Sequence, residues 1–196
     1  MIDRRRFLGT TAAGSAGLAL GAGCTGPSDS GGGDGGPGAQ VAPFELDEVT
    51  VPELQASMES GERTASSIAE LYLERIEALD GQGIELRSII ETNPDALATA
   101  DELDAERAAN GPRGPLHGIP VALKDNIDTN DRMTTTAGSL ALEGSIPPRD
   151  AYISEKLREA GAIILAKANM SEWAYFRGKR ATSGWSARGG QWPQSP

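Results

Sequence analysis

Gly114-Pro115-Leu116-His117-Gly118-Ile119-Pro120-Val121-Ala122-Leu123-Lys124-Asp125-Asn126 opens as a turn, runs through an apolar strand and closes on a polar turn. Ile119, Val121 and Leu123 recur at period two, which predicts a strand carrying these three on one face. Lys124 then leaves on the opposite face, beside Pro120 and the small Ala122, where a long side chain has room to lie. Burial there would disfavour the ammonium and lower its pKa, the physical route to a lysine base. The plainer reading of the same spacing is a surface lysine at a strand end.

Downstream, Thr129 to Asp150 is long and irregular, and loops of this length in a compact domain border sites. Asp150 is placed to cap a helix running through Arg158 to a stop at Gly161. Ala162-Ile163-Ile164-Leu165-Ala166 is an all-apolar run suited to a buried parallel strand. Strand, loop, helix and strand make one crossover unit, so the fold class is α/β. This second strand ends in Lys167-Ala168-Asn169, much as the first ends in Lys124-Asp125-Asn126. Ligands gather beyond the carboxyl ends of such strands. Both lysines therefore qualify, and the residues alone leave the choice between them open.

Upstream, Thr50-Val51-Pro52-Glu53 predicts a capping box opening a short helix that stops by Gly61. A second helix from Thr64 carries Ile68, Leu71, Tyr72, Ile76 and Leu79 in one stripe. Leu86 to Glu91 is a strand candidate, and Pro94 opens an alanine- and acid-rich helix through about Ala109, with Leu97 and Leu103 as its apolar anchors. Residues 44–191 are thus read as the folded domain. Residues 24–43 are a Gly-rich flexible tether.

Residues 1–23 have the pattern of a twin-arginine export signal: Arg4-Arg5-Arg6-Phe7-Leu8 precedes a modestly apolar run rich in glycine and alanine. Leu20-Gly21-Ala22-Gly23-Cys24 resembles a lipobox, with Gly21 where that motif usually has leucine. The expectation is an exported, extracytoplasmic protein tethered to the membrane through a lipidated Cys24. Cys24 is the sole cysteine, so no internal disulfide supports the fold.

The chain has 18 basic and 28 acidic residues, a formal charge of −10, which argues against a general nucleic-acid binder. One histidine and one cysteine give poor support for a metal site, and no cofactor is expected. His117 lies in the turn before the first strand and reads as a packing residue, without a matching nucleophile nearby. A lysine base serving a serine nucleophile is the economical chemistry that remains.

Gly114 to Asp128 resembles the lysine motif of the amidase signature family. The similarity continues through Thr135-Thr136-Ala137-Gly138-Ser139, then Ala160 to Trp173, then Ser183-Gly184-Trp185-Ser186-Ala187-Arg188-Gly189-Gly190-Gln191. The resemblance implies an α/β/α domain on a mixed sheet, preceded by helices, with a Ser-cisSer-Lys triad. Lys124 matches the family's base and Lys167 a structural position. In that mechanism the base acts through a serine on a cis peptide bond, a second serine attacks the amide carbonyl, and water cleaves the acyl-enzyme. Backbone N–H groups near the serines stabilise the oxyanion.

Both family serines follow the Gly-Gly-Gln motif, whereas this sequence continues as Gln191-Trp192-Pro193-Gln194-Ser195-Pro196. Residues 192–196 match nothing in the family, and Ser183 and Ser186 correspond to neither triad serine. The expectation is the N-terminal portion of an exported amidase, inactive alone, with a small-molecule amide as the substrate of the full-length form. That portion lacks the strands that would flank Ile119–Leu123 and Ala162–Ala166. Two other readings are a glutamine-amidotransferase subunit of the same family and a non-catalytic solute-binding lipoprotein. Substrate-binding residues are left unassigned: Met170, Trp173 and Tyr175 suit either a pocket lining or the core.

Overall fold

A computed structural model describes residues 42–81, 85–176, 178 and 182–192. The expected export signal, Cys24 and nearly all of the tether lie outside them, as does the tail beyond Trp192.

Helix α1 spans Val51–Ser60 and opens on the predicted capping box: the Thr50 N–H donates to Glu53 Oε2 at 2.7 Å, and the Glu53 N–H donates to Thr50 Oγ1 at 3.4 Å. Helix α2, Ala65–Ile76, is capped by Thr64 and Ser67 in the same reciprocal way, then widens into one π-helical turn over Glu77–Gly81. The Phe44 and Tyr72 rings meet edge to face, with centroids 5.3 Å apart, and this contact fixes the start of the domain on α2. Strand β1 is Ile89–Thr92, shorter and later than Leu86–Glu91, because the chain first leaves the π turn. Helix α3 covers Ala96–Asn110. Its anchors are Ala96, Ala100 and Leu103; Leu97 is 41% exposed, contrary to expectation. Small alanines let α3 approach α2 closely, so the helix needs few large residues on its inner face.

Strand β2 is Pro120–Lys124, α4 is Tyr152–Glu159 and β3 is Ile163–Ala168. The sheet order is β1-β3-β2, with β2 parallel and β1 antiparallel to β3, so the sheet is mixed. The run Ala162–Ala166 therefore pairs with β2, as the crossover unit predicts, and β1 covers its other edge, where a flanking strand was expected to be missing. Asp150 does not cap α4; its carboxylate accepts from the Asn130 N–H at 2.6 Å and from Arg158 Nε at 3.0 Å, and Ala151 stands at the cap position.

One irregularity governs which side chain meets which layer. Val121 pairs with Ile164 but Ala122 pairs with Ala166, so Leu165 is an extra residue in β3. Ile163, Leu165 and Ala166 all join the cluster beneath α1, α2 and α3. Ile164 joins Leu123 and Met133 on the other face, where Val121 and Leu157 of α4 also pack. Helices thus cover both faces, giving an α/β/α arrangement. Ile119 does not share a face with Val121 and Leu123 as its spacing predicts; it precedes the strand and packs into the helical cluster.

His117 is fully buried. Its Nδ1 accepts from the Arg113 N–H at 3.3 Å and its Nε2–H donates to the Leu103 carbonyl at 2.9 Å, which ties the turn before β2 to α3. Gly161 at the end of α4 has φ +78°, and a Cβ there would lie 2.8 Å from His117 Nδ1. A side chain at this position would separate α4 from the turn it locks.

Candidate active site

The two strand-end lysines occupy opposite environments. Lys124 is the last residue of β2, paired with Ala168 of β3, on the same face as Ala122 and Ala166. It is exposed, and among the described residues nothing hydrogen-bonds to its Nζ. Lys167, beside Leu123 in register, is fully buried on the other face. Its Nζ donates to the Ile127 carbonyl and to Thr135 Oγ1, each at 2.7 Å. Burial pushes its pKa down against the opposing pull of the Asp125, Asp131, Asp128 and Glu91 carboxylates. The burial that the spacing reserved for Lys124 thus falls on Lys167.

This arrangement has a pH signature. The folded-state pKa of Lys167 lies below its ordinary value of 10.5, so between the two the unfolded chain binds the additional proton. The cost of burying the cation is fully present below the folded pKa and is relieved as pH rises to the unfolded one. The wild type is expected to gain stability relative to Lys167→Met between neutral pH and about pH 10. Denaturant unfolding of both proteins across that window is the check, and parallel stability curves would refute it.

Asp125 knits the strand ends to the loops around them. It is fully buried. Its N–H donates to the Ala168 carbonyl at 3.0 Å, and its carbonyl accepts from the N–H groups of Thr136 at 3.1 Å and Ala137 at 2.9 Å. Its Oδ2 accepts from the Thr136 hydroxyl and from the Gly138 N–H at 2.9 Å. Gly138 has φ +74°, and a Cβ would come 2.6 Å from Ser186 Cβ, so the 136–138 turn needs glycine there. Arg188 reaches in from the β4–β5 hairpin (Trp185–Ser186 and Gly190–Gln191). Its N–H donates to the Gly138 carbonyl at 3.0 Å, and its Nη2 donates to Glu91 Oε2 at 2.7 Å. Arg188 Nη1 stands 3.8 Å from Asp125 Oδ1. Burial opposes ionisation of Glu91, but bonds from Thr134 and Arg188 outweigh it and hold its pKa below the ordinary carboxylate value.

Ser186 is buried, donating to Asn169 Oδ1 at 2.8 Å and accepting from the Gly189 N–H at 2.8 Å, and Ser183 is exposed. Neither serine is arranged as a nucleophile beside a lysine. Among the described residues no three His, Cys, Asp or Glu side chains gather to hold a metal.

An open cleft of about 580 Å³ lies beyond β2 and β3. Its lining combines Asn126, Asp128 and Thr135 with Met170, Trp173 and Phe176. Met170 is buried, whereas Trp173 and Tyr175 are 38% and 42% exposed, so of the three residues that suited pocket or core, Met170 and Trp173 reach the cleft. Sequence reading had no signal for Phe176, which is 93% exposed and lines it as well. A second cavity, of about 620 Å³, lies away from the strand ends between α1 and the loop before β2.

Residues 67–183 match the amidase family model, and the chain belongs to the amidase family. It is 49% identical over 146 residues to a putative amidase of Schizosaccharomyces pombe, covering 74% of this chain and 24% of that protein. A glutamyl-tRNA(Gln) amidotransferase subunit of Thermobifida fusca is 44% identical over 131 residues, covering 66% and 26%. Among solved structures, the native peptide amidase of Stenotrophomonas maltophilia superposes with a TM-score of 0.74 at 55% identity, over 76% of this chain and 30% of that one. The chain therefore spans between 24% and 30% of the length of these relatives.

Proposed function

We propose that this chain is the N-terminal, lysine-bearing portion of an exported amide hydrolase, with Lys124 as the general base of a Ser-cisSer-Lys site. Its proton-accepting amine would act through one serine to activate a second for attack on an amide carbonyl. An acyl-enzyme would form with release of the amine, and water would complete hydrolysis. The observation that carries this reading is the contrast at the strand ends. Lys124 Nζ is open to an incoming hydroxyl, whereas two bonds and full burial occupy Lys167.

A polypeptide confined to residues 24–196 is expected to hydrolyse no amide, because the Gly-Ser-Ser segment of the family does not occur in it. A continuous chain in which residues 44–191 are followed by the serine-bearing remainder of the Stenotrophomonas peptide amidase is expected to hydrolyse peptide amides. A folded but inert chimera overturns the proposal, as does hydrolysis by residues 24–196 that Lys124→Ala abolishes.

The amidotransferase relatives support a second reading, a subunit serving aminoacyl-tRNA. The run Arg4-Arg5-Arg6 before an apolar segment, and the excess of acidic residues, favour the exported hydrolase over a partner of nucleic acid. In this reading the twin-arginine route carries the protein out of the cytoplasm and Cys24 anchors it by acylation. Metabolic labelling with palmitate is then expected to mark the wild type and not Cys24→Ala; equal labelling, or none in either, removes the tether.

A further inference from the structure

We infer that the cleft beyond β2 and β3 recognises an aromatic group carrying a protonated amine, with the amine against Asp128 and the ring against Trp173 and Phe176. The inference rests on the amide-hydrolase reading in one respect: it makes this group the substituent of the amide substrate.

The lining divides the ligand's chemistry. Asp128 is anchored through its backbone, whose carbonyl accepts from the Ala151 N–H at 3.0 Å and from Ser154 Oγ at 2.7 Å. Its side chain is left exposed at the cleft, and among the described residues no hydrogen bond or ion pair engages its carboxylate. The buried Lys167 cation is shared among the carboxylates of Asp125, Asp131, Asp128 and Glu91, so it offsets only part of the negative charge at the cleft. Asn126 adds an amide beside Asp128. An ammonium answers this wall; a carboxylate ligand meets like charge there.

The apolar lining holds two large side chains in water. Phe176 is 93% exposed and Trp173 38%. Trp173, Ala174 and Tyr175 follow one another in the left-handed region, at φ +52°, +49° and +67°. This turn is pinned at its base: the Trp173 N–H donates to the Ala137 carbonyl at 3.0 Å, and Glu172 Oε2 accepts from the Ala187 N–H at 2.9 Å. A flat aromatic ring covers both exposed groups, and an ammonium attached to it gains from the indole face as well as from Asp128. The volume, about 580 Å³, is that of a small-molecule site.

Calorimetric titration of the full chain with phenylalaninamide tests this at pH 6, where an α-amine of ordinary pKa, about 7.7–8.0, is protonated. Two controls separate the determinants: N-acetylphenylalaninamide has the ring without the charge, and glycinamide has the charge without the ring. Phenylalaninamide is expected to saturate the protein, with each control weaker by about tenfold or more. Asp128→Asn is expected to reduce phenylalaninamide to the affinity of the acetylated compound, and Trp173→Ala to that of glycinamide. Equal affinity for the charged and acetylated compounds overturns the inference, and so does the lack of saturable binding through the millimolar range. Binding needs no turnover. Phenylalaninamide binding beside an inert chimera would sink the hydrolase reading alone, while a chimera that hydrolyses both phenylalanine amides equally would sink this inference alone.

Discussion

Asp125→Ala is expected to destabilise the domain by about 3–5 kcal/mol, the range for removing one member of a buried ionic network. The carboxylate is fully buried and holds the Thr136 hydroxyl and the Gly138 N–H through Oδ2. Alanine leaves that N–H and hydroxyl without acceptors in a place water does not reach, and each stranded group costs about 1–3 kcal/mol. It also takes away the negative charge facing Arg188, whose remaining carboxylate partner is Glu91. For a domain of this size the loss appears as a fall in Tm of roughly 10 °C. Asp125→Asn keeps one acceptor oxygen and is expected to lose less than half as much. Urea unfolding of the three proteins decides the matter. An alanine variant within about 1 kcal/mol of wild type would show that the knot contributes little.

The second large effect concerns chemistry. In the chimera that completes the site, Lys124→Ala is expected to lower kcat/KM for a peptide amide by about 10³-fold, within the range seen on removing a general base. Because Lys124 is exposed and carries no packing, its loss should leave Tm unchanged, which separates a chemical defect from a folding one. Lys124→Arg is expected to give no rescue, since a guanidinium stays protonated and cannot accept the serine proton. Lys167→Met should show the opposite pattern, altering stability and its pH dependence while the amide-cleaving step persists. If Lys124→Ala retained activity and Lys167→Met lost it with Tm unaltered, the two lysines would have to exchange roles.

Local chemistry made much of the fold readable. Capping residues announced the starts of α1 and α2, and the apolar run from Ala162 announced β3 and with it the parallel pairing to β2. Errors arose where tertiary contacts decide. Leu97 looks like an anchor by residue type, but α3 packs through its alanines. Asp150 has the chemistry of a cap, yet Arg158 and Asn130 claim its carboxylate. Strand periodicity placed Ile119 with Val121 and Leu123, because period two presumes that the strand extends to Ile119. The two lysines could not be told apart by spacing, since each closes a strand before a polar turn. Their difference lies in which face of the sheet each one meets, which no local pattern encodes. The acidic knot was equally hidden: Glu91, Asp125 and Arg188 belong to three separate segments that only the sheet brings together.

Leu165, the extra residue of β3, has an evolutionary reading. It lets Ile163, Leu165 and Ala166, three residues out of four, face the same helical layer. Deleting Leu165 would leave Ala166 opposite Ala122 and Lys167 opposite Leu123, so Lys167 would keep its burial while the helical layer lost a large side chain. Among descendants of this fold, a one-residue deletion here should therefore trade core volume for a regular strand without exchanging its two faces.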